Sequence, residues 1–230
     1  GGSATYAELD FPWGVAVDGS GNVYIADAWN NVIRKVDVAG IITTVAGNSH
    51  AGAGHTGPGR GGYSGNGGPA TAAELNYPMG VASDGSGNIY IADSWNAVIR
   101  KINAAGIIST FAGNGTSSYG GDGGPATAAS IFDPLSVAID GSNCIYITDA
   151  IGVIRKVSAA GIICAIAGDG TWGYSGDGGP ATAAELSGPR GVAIDCGNNI
   201  YIADHANNVI RKISAAFPVI NPTSVCVGST

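Results

Sequence analysis

Phe-Pro-Trp-Gly-Val-Ala-Val-Asp-Gly-Ser-Gly-Asn-Val-Tyr-Ile-Ala-Asp-Ala-Trp-Asn-Asn-Val-Ile-Arg-Lys, residues 11–35, is the stretch whose reading decides the fold. Val15 and Val17 alternate with small neighbours, the period of two that suits a strand with one buried face. The Asp-Gly-Ser-Gly-Asn run at 18–22 follows, and its Asp, Gly and Asn residues tolerate the left-handed backbone of a tight hairpin. Val-Tyr-Ile-Ala-Asp (23–27) reads as a second strand, and Ala-Trp-Asn-Asn (28–31) turns it into a third, Val-Ile-Arg-Lys-Val (32–36). Ala39-Gly40 then leads into a fourth strand, Ile-Ile-Thr-Thr-Val-Ala (41–46).

The unit recurs. Phe-Pro-Trp-Gly-Val-Ala-Val-Asp (11–18) returns as Tyr-Pro-Met-Gly-Val-Ala-Ser-Asp (77–84), Asp-Pro-Leu-Ser-Val-Ala-Ile-Asp (133–140) and Gly-Pro-Arg-Gly-Val-Ala-Ile-Asp (188–195). Pro12, Pro78, Pro134 and Pro189 are 66, 56 and 55 residues apart by subtraction, and Asp27, Asp93, Asp149 and Asp204 repeat those intervals. A Gly/His-rich insertion, bounded as 49–66, swells the first interval. Four short hairpin-connected strands repeated in tandem are the content of a β-propeller blade. The expected fold is all-β, with four four-stranded blades at about 1–48, 67–114, 123–169 and 178–216. After Ile213 the fourth copy reads Ser-Ala-Ala-Phe-Pro-Val-Ile-Asn-Pro, and Pro218 and Pro222 each remove a backbone donor, so the last blade is expected to lack its outer strand. The residues ahead of Leu9 look too short and helical to supply it. Between blades, Thr5/Glu8, Thr71/Glu74 and Thr182/Glu185 have the spacing of a capping box, which predicts one helical turn per linker followed by a leucine between blades. In the third linker Ser130 follows Thr127, and the box weakens there.

Composition narrows the function. Of 230 residues, 39 are Gly and only 12% are charged, against about 25% in an average soluble domain. Hydrophobic residues make up 45%, in runs far shorter than the ~20 residues of a membrane-spanning helix, so no membrane span is expected. The net charge is −7, and the Arg-Lys pairs are spread one per repeat and not pooled, which argues against nucleic acid as a partner. Cys144, Cys164, Cys196 and Cys226 have no C-x-x-C spacing, so no metal site or redox centre is suggested. Low charge with much Gly, Ser, Thr and Asn fits a secreted or cell-surface protein.

The string Pro-x-Gly-Val-Ala-x-Asp-Gly-Ser-Gly-Asn-x-Tyr-Ile-Ala-Asp-x-x-Asn-x-x-Ile-Arg-Lys resembles the NHL repeat, in particular the bacterial extracellular variety that carries Gly-Asp-Gly-Gly-Pro-Ala-Thr-Ala-Ala between units. The resemblance runs from Gly1 to Ile213 and implies an NHL-type propeller over 1–216. It leaves function open, because NHL propellers serve as protein platforms, RNA-binding surfaces and, in the amidating lyases, metal-dependent enzymes. Most such families have six blades, and this chain carries four repeats. Residues 217–230 read as a tail; within it Asn-Pro-Thr-Ser-Val-Cys-Val-Gly-Ser-Thr (221–230) is similar to the opening strand of a bacterial immunoglobulin-like domain, which implies a polypeptide that continues, with Cys226 pairing downstream.

Candidate sites each have two readings. Asp27, Asp93, Asp149 and Asp204 precede Arg34, Arg100, Arg155 and Arg211 across one hairpin. They form either a ring of ligand-binding charges or one ion pair or turn lock per blade, and their equivalence by repetition favours the lock, since catalysis needs differentiated roles. The Asp-Gly-Ser-Gly-Asn turns offer alternating oxygens, as a calcium loop does, but too few carboxylates, so a plain hairpin is preferred. His50, His55 and His205 are too few and too scattered for the channel metal of an NHL lyase, and no catalytic residues are assigned. Trp29 and Trp95 occupy equivalent turns, replaced by Ile151 and Ala206 in later copies. With Trp172 they are candidate ligand anchors, and packing between blades is the plainer alternative. A disulfide between Cys144 and Cys196 is one option that spacing does not support. The sequon Asn114-Gly-Thr116 by itself says little. The expected function is a non-enzymatic extracellular binding module for a protein or glycan, with no cofactor. The alternatives are a self-associating fibre subunit completed by strand addition and a metal-dependent lyase or hydrolase.

Overall fold

A computed structural model describes residues 1–48 and 61–215. They form an all-β protein in which each sequence repeat is one antiparallel sheet of propeller-blade type. Blade 1 contains β1 (Gly2–Ser3), β2 (Pro12–Val17), β3 (Val23–Asp27), β4 (Val32–Val36) and β5 (Ile41–Ala46), in the order β1-β5-β4-β3-β2. Blade 2 contains β6 (Pro78–Ser83), β7 (Ile89–Asp93), β8 (Val98–Ile102) and β9 (Ile108–Ala112). Blade 3 contains β10 (Pro134–Ile139), β11 (Ile145–Asp149), β12 (Val153–Val157) and β13 (Ile163–Ala167). Blade 4 contains β14 (Pro189–Ile194), β15 (Ile200–Asp204) and β16 (Val209–Ile213), so three strands are seen among the described residues. Residues 49–60 of the insertion, with His50 and His55, and residues 216–230, which include the whole tail with Cys226, lie outside the described residues.

The blades group into two compact units, Gly1–Phe111 and the part that begins at Ala112. In the first, Tyr24, Ala26, Ile33 and Ala46 of blade 1 face Val81, Ile89, Ile91, Ile102 and Ile108 of blade 2, with Ala70, Ala73 and Leu75 of the linker in the same core. Leu75 fills the space between these sheets as expected. The sheets approach so closely that a Cβ on Gly14 would run into the carbonyl oxygen of Met79. In the second unit, Leu186 takes the corresponding place, among Cys144, Tyr146, Ile154 and Ala167 of blade 3 and Val192, Ile200 and Ile202 of blade 4.

Two expectations need correction. The linker turns exist, as 3-10 helices at Ala4–Tyr6, Ala70–Ala72, Ala126–Ala128 and Ala181–Ala183, but no capping box forms. Each turn begins one residue before the threonine, and its N-cap makes no side-chain hydrogen bond. A three-residue turn places Glu74 or Glu185 beyond its end, where it cannot reach back; the third turn forms equally well with Ser130 in the glutamate's place. The segment ahead of Leu9 holds a helical turn, and a short strand before it joins blade 1. Gly2 and Ser3 pair with Ile42 and Ile41, so blade 1 has a fifth, two-residue strand on its own outer edge. Finally, Cys144 and Cys196 are free thiols. Cys144 is buried at the foot of β11 while Cys196 is exposed in the hairpin after β14, and the pairing of the two does not form; Cys164 is disulfide-bonded.

Candidate binding face

Four buried aspartates organise the loops at one end of the blades. Asp27, Asp93, Asp149 and Asp204 are fully buried at the ends of β3, β7, β11 and β15. The Asp27 and Asp93 carboxylates accept the backbone N–H of Asp10 and Asn76, each at 2.7 Å, and Asn30 and Asn96 donate to them from three residues on. Trp29 N–H then donates to the Asp10 carbonyl and Trp95 N–H to that of Asn76, both at 3.1 Å. The carboxylate thus ties the turn after one strand to the loop before another. Burial is the largest influence on these acids and raises both, Asp93 to about 6, against the hydrogen bonds that favour the anion.

The loops so tied present aromatic rings. Phe11 and Tyr77, the residues before Pro12 and Pro78, have φ of 52° and 55°, which swings each ring over the neighbouring turn. Phe11 stacks on Trp29 with centroids 5.0 Å apart, and Tyr77 stacks on Trp95 at 4.6 Å. Asn31, in the turn of blade 1, accepts the Tyr77 N–H at 2.7 Å, so the two pairs meet, with Phe11 and Tyr77 6.3 Å apart. Trp13 leans on Phe11 at 5.5 Å. The outcome is a continuous ladder, Trp29–Phe11–Tyr77–Trp95, with Phe11 42% and Trp95 53% exposed. Inner ring faces cover one another, so the ladder offers ring edges and the outer faces of its end members. Edges carry the positive side of the aromatic quadrupole and suit carbonyl or hydroxyl oxygens; the outer faces suit apolar groups.

Of the residues singled out from sequence, Trp29 and Trp95 fall in the ladder. Trp172 belongs to the second unit, is 66% exposed, and donates its indole N–H to the Ile151 carbonyl at 3.1 Å. Phe11 and Tyr77 were overlooked, although an aromatic directly before the marker proline in two copies is a readable signal. Blades 3 and 4 have Asp133 and Gly188 there.

The remaining polar residues serve the blades. Arg34, Arg100, Arg155 and Arg211 lie 3.5 to 3.8 Å from the buried aspartate of the same blade. The hairpin aspartates act as turn locks: Asp18 Oδ1 accepts the N–H groups of Ser20 and Asn22, and Oδ2 accepts Asn22 Nδ2 and the Tyr24 hydroxyl. Asp84 and Asp195 repeat this arrangement, and Asp140 repeats it without the amide, because Cys144 stands in the asparagine's place. The Asn22 side-chain bond lowers the pKa of Asp18, while burial and the Asp18 bond push the Tyr24 phenol up to about 12. The lysine of each Arg-Lys pair stands over a tyrosine ring of its own blade, 5.2 to 5.8 Å from the centroid. His205 starts a short 3-10 turn on the surface. Among the described residues no three of His, Cys, Asp and Glu gather as a metal cluster, and no helix is long and apolar enough to cross a membrane.

A family model described as the teneurin NHL domain matches residues 1–58 and 51–119, and one described as the NHL repeat matches 186–213. Teneurin-1 of Gallus gallus is 29% identical over 236 residues, covering 93% of this chain and 8% of that protein. Teneurin-m of Drosophila melanogaster is 26% identical over 247 residues, covering 97% and 8%. The chain therefore spans 8% of the length of these relatives, and they are animal proteins, so the likeness supports the NHL repeat and not a bacterial variety of it. Among solved structures, a protein of unknown function from Bacteroides thetaiotaomicron aligns with a TM-score of 0.68 at 20% identity, over 88% of this chain and 47% of that one. An auxiliary nutrient binding protein from Bacteroides ovatus gives 0.63 at 20% identity, over 90% and 49%. A streptogramin B lyase gives 0.55 at 16% identity, over 92% and 54%. A binding protein and a lyase share this fold, so the fold alone does not choose between those roles.

Proposed function

The chain belongs to the teneurin NHL-domain family, and from that premise we propose that it is a non-enzymatic binding module of the cell surface or extracellular space, holding a protein or glycan against the aromatic ladder of its first two blades. The observation that carries this reading is the Trp29–Phe11–Tyr77–Trp95 stack. Its rings are held from behind by buried aspartates, so little side-chain entropy remains to be lost when a ligand settles on them. Large, rigid aromatics are the residues on which interface energy concentrates. The repeated charges support the same reading from the other side, because each is engaged within its own blade and none is set apart for acid, base or nucleophile. The module takes its ligand as a preformed surface.

Glycan and peptide arrays probed with the wild-type protein, Trp29→Ala, Trp95→Ala and the double variant test this, with circular dichroism to confirm folding. Truncating a buried aromatic anchor removes about 2 kcal/mol or more of binding energy, so a ligand of the ladder should weaken by roughly thirtyfold. Trp172→Ala, in the other unit, should leave that ligand's affinity unchanged. A ligand that binds the double variant as well as the wild type discards the ladder as the site.

A further inference from the structure

The chain contains two Asn-Gly steps, Asn66-Gly67 and Asn114-Gly115, and the fold treats them differently. Before a glycine, the side-chain amide of asparagine is open to attack by the next peptide nitrogen, because no Cβ stands in the way. At Asn66 the fold prevents it. The Gly67 N–H donates to the Ile108 carbonyl at 2.8 Å, which holds the nitrogen against β9. The Asn66 side chain is held by Arg100 Nη2 at 3.0 Å and donates to the Tyr63 and Thr110 hydroxyls, each at 3.1 Å.

Asn114 is placed otherwise. It lies in the turn after β9, where Gly115 has φ of 84° and Asn114, Gly115 and Thr116 are all exposed. Asn114 Oδ1 accepts the Thr116 N–H at 2.9 Å, an Asx turn that folds the side-chain amide back over the Gly115 peptide and turns its carbon toward the Gly115 nitrogen. Asn114 Nδ2 donates to the Ala128 carbonyl and to Ser130 Oγ, both at 3.1 Å. Ser130 stands where the other linkers carry Glu8, Glu74 and Glu185, so a hydroxyl at this amide nitrogen belongs to the third linker alone. The next linker shows that the turn accommodates an acid. Asp169 takes the place of Asn114, its Oδ1 accepting the Thr171 N–H at 2.8 Å. Its own N–H donates to the Ala184 carbonyl at 3.0 Å, as that of Asn114 does to Ala129 at 2.9 Å.

We propose that Asn114 is a self-modification site, at which the chain converts its own asparagine to aspartate and isoaspartate through a cyclic imide. The Gly115 nitrogen gives its proton to solvent and attacks Asn114 Cγ, and the new C–N bond closes the ring. The charge gathers on Oδ1, which already has the Thr116 N–H as its donor. The Cγ–Nδ2 bond breaks, and the nitrogen leaves as ammonia with a proton from the Ser130 hydroxyl, which solvent restores. Water then opens the ring. Addition at Cγ gives aspartate, which the turn holds as it holds Asp169; addition at the main-chain carbonyl gives isoaspartate, with the backbone rerouted through Cγ. One water is consumed and one ammonia released, with no oxidation or reduction. Either product adds a negative charge to an exposed loop and removes the Asn114-Gly115-Thr116 sequon.

The purified 230-residue protein, incubated at neutral and at mildly alkaline pH and then digested in mild acid, tests this by mass spectrometry that separates amide, aspartyl and isoaspartyl peptides. The Asn114 peptide should convert steadily, and faster at the higher pH. It should convert at least about tenfold faster than the Asn66 peptide, whose nitrogen must first leave its hydrogen bond in the sheet. Ser130→Ala should slow conversion at Asn114 roughly tenfold, by removing the proton donor at the leaving nitrogen, and leave Asn66 as it was. Asn66 keeping pace with Asn114 overturns the proposal, as does an Asn114 rate unchanged in Ser130→Ala. The two asparagines are compared within one wild-type molecule, so that result stands even if the serine variant folds poorly.

Discussion

Replacing Asp149 with asparagine probes how the blade-turn carboxylates are held. In the first, second and fourth repeats an asparagine three residues on donates to the buried carboxylate, as Asn30, Asn96 and Asn207 do. The third repeat is one residue shorter here, reading Asp149-Ala150-Ile151-Gly152-Val153, and has no such asparagine. Asp149 Oδ1 receives two long bonds, 3.3 Å from Phe132 N–H and 3.4 Å from Ile151 N–H, while Oδ2 has no hydrogen-bond partner. Arg155 lies 3.7 Å away, but its Nη2 and Nε are held by Asp122 at 2.7 and 3.1 Å. Burial consequently outweighs the pull of Arg155 and pushes Asp149 up to about 7, higher than Asp93 with its asparagine. The folded value lies above the unfolded value of 3.8, so the native state favours the protonated acid. That contribution is complete below about pH 4 and is lost as pH rises through about 7. A displacement of roughly three pK units at ~1.4 kcal/mol each sets a ceiling of about 4 kcal/mol. Asp149→Asn, nearly isosteric and uncharged, escapes the loss. Urea unfolding of both proteins at about pH 4 and about pH 8 should show the variant gaining on the wild type by about 2–4 kcal/mol across that range. A difference that stays constant with pH, or shrinks as pH rises, refutes the reasoning.

Two further substitutions examine the packing of the first unit. Gly14→Ala drives a methyl into the Met79 carbonyl, and because the obstacle is backbone, the two sheets must part; a loss of about 1–3 kcal/mol is expected in denaturant unfolding, and an unchanged midpoint would show that the sheets are less closely set. Leu75→Ala empties the space between blades 1 and 2 and should destabilise by about 2–5 kcal/mol, whereas a cost under about 1 kcal/mol would mean that the leucine is not a core residue there.

Most of the blade was legible because its signals are local. The second, third and fourth strands of the first repeat fall at Val23–Asp27, Val32–Val36 and Ile41–Ala46, as the alternation and the turn residues predict. The first begins at Pro12, two residues ahead of the expected start, where a bulge between Pro12 and Val15 lets proline pair with Asp27. The Thr/Glu spacing misled because a capping box needs a helix long enough to have an N3 position, and these turns are three residues long. The ladder was half legible. Trp29 and Trp95 could be seen as repeated turn aromatics, but their stacking on Phe11 and Tyr77 depends on a buried aspartate drawing the preceding loop across the turn. That tertiary closure leaves no periodic trace. The contacts of the Tyr63, Tyr119 and Tyr174 rings with Arg100, Arg155 and Arg211 were hidden for a related reason, since each tyrosine is separated from its arginine by a linker and two strands.

Repetition itself separates scaffold from specific feature. A residue copied in every repeat, such as the Asp27 series or the Arg-Lys pairs, keeps one contact in each blade, the arginine 3.5 to 3.8 Å from the aspartate and the lysine over a tyrosine ring, and that contact serves to hold the blade together. What the scaffold does not require is found where copies differ. Aromatics precede the proline in blades 1 and 2 and nowhere else among the four. Blade 3 has dropped the asparagine that would steady its buried acid. Each departure leaves a group whose needs its own blade does not meet: exposed rings and an under-bonded carboxyl. In a structure of repeats those unmet needs are where binding and pH response are to be sought, because the contacts that every copy shares serve the blade itself.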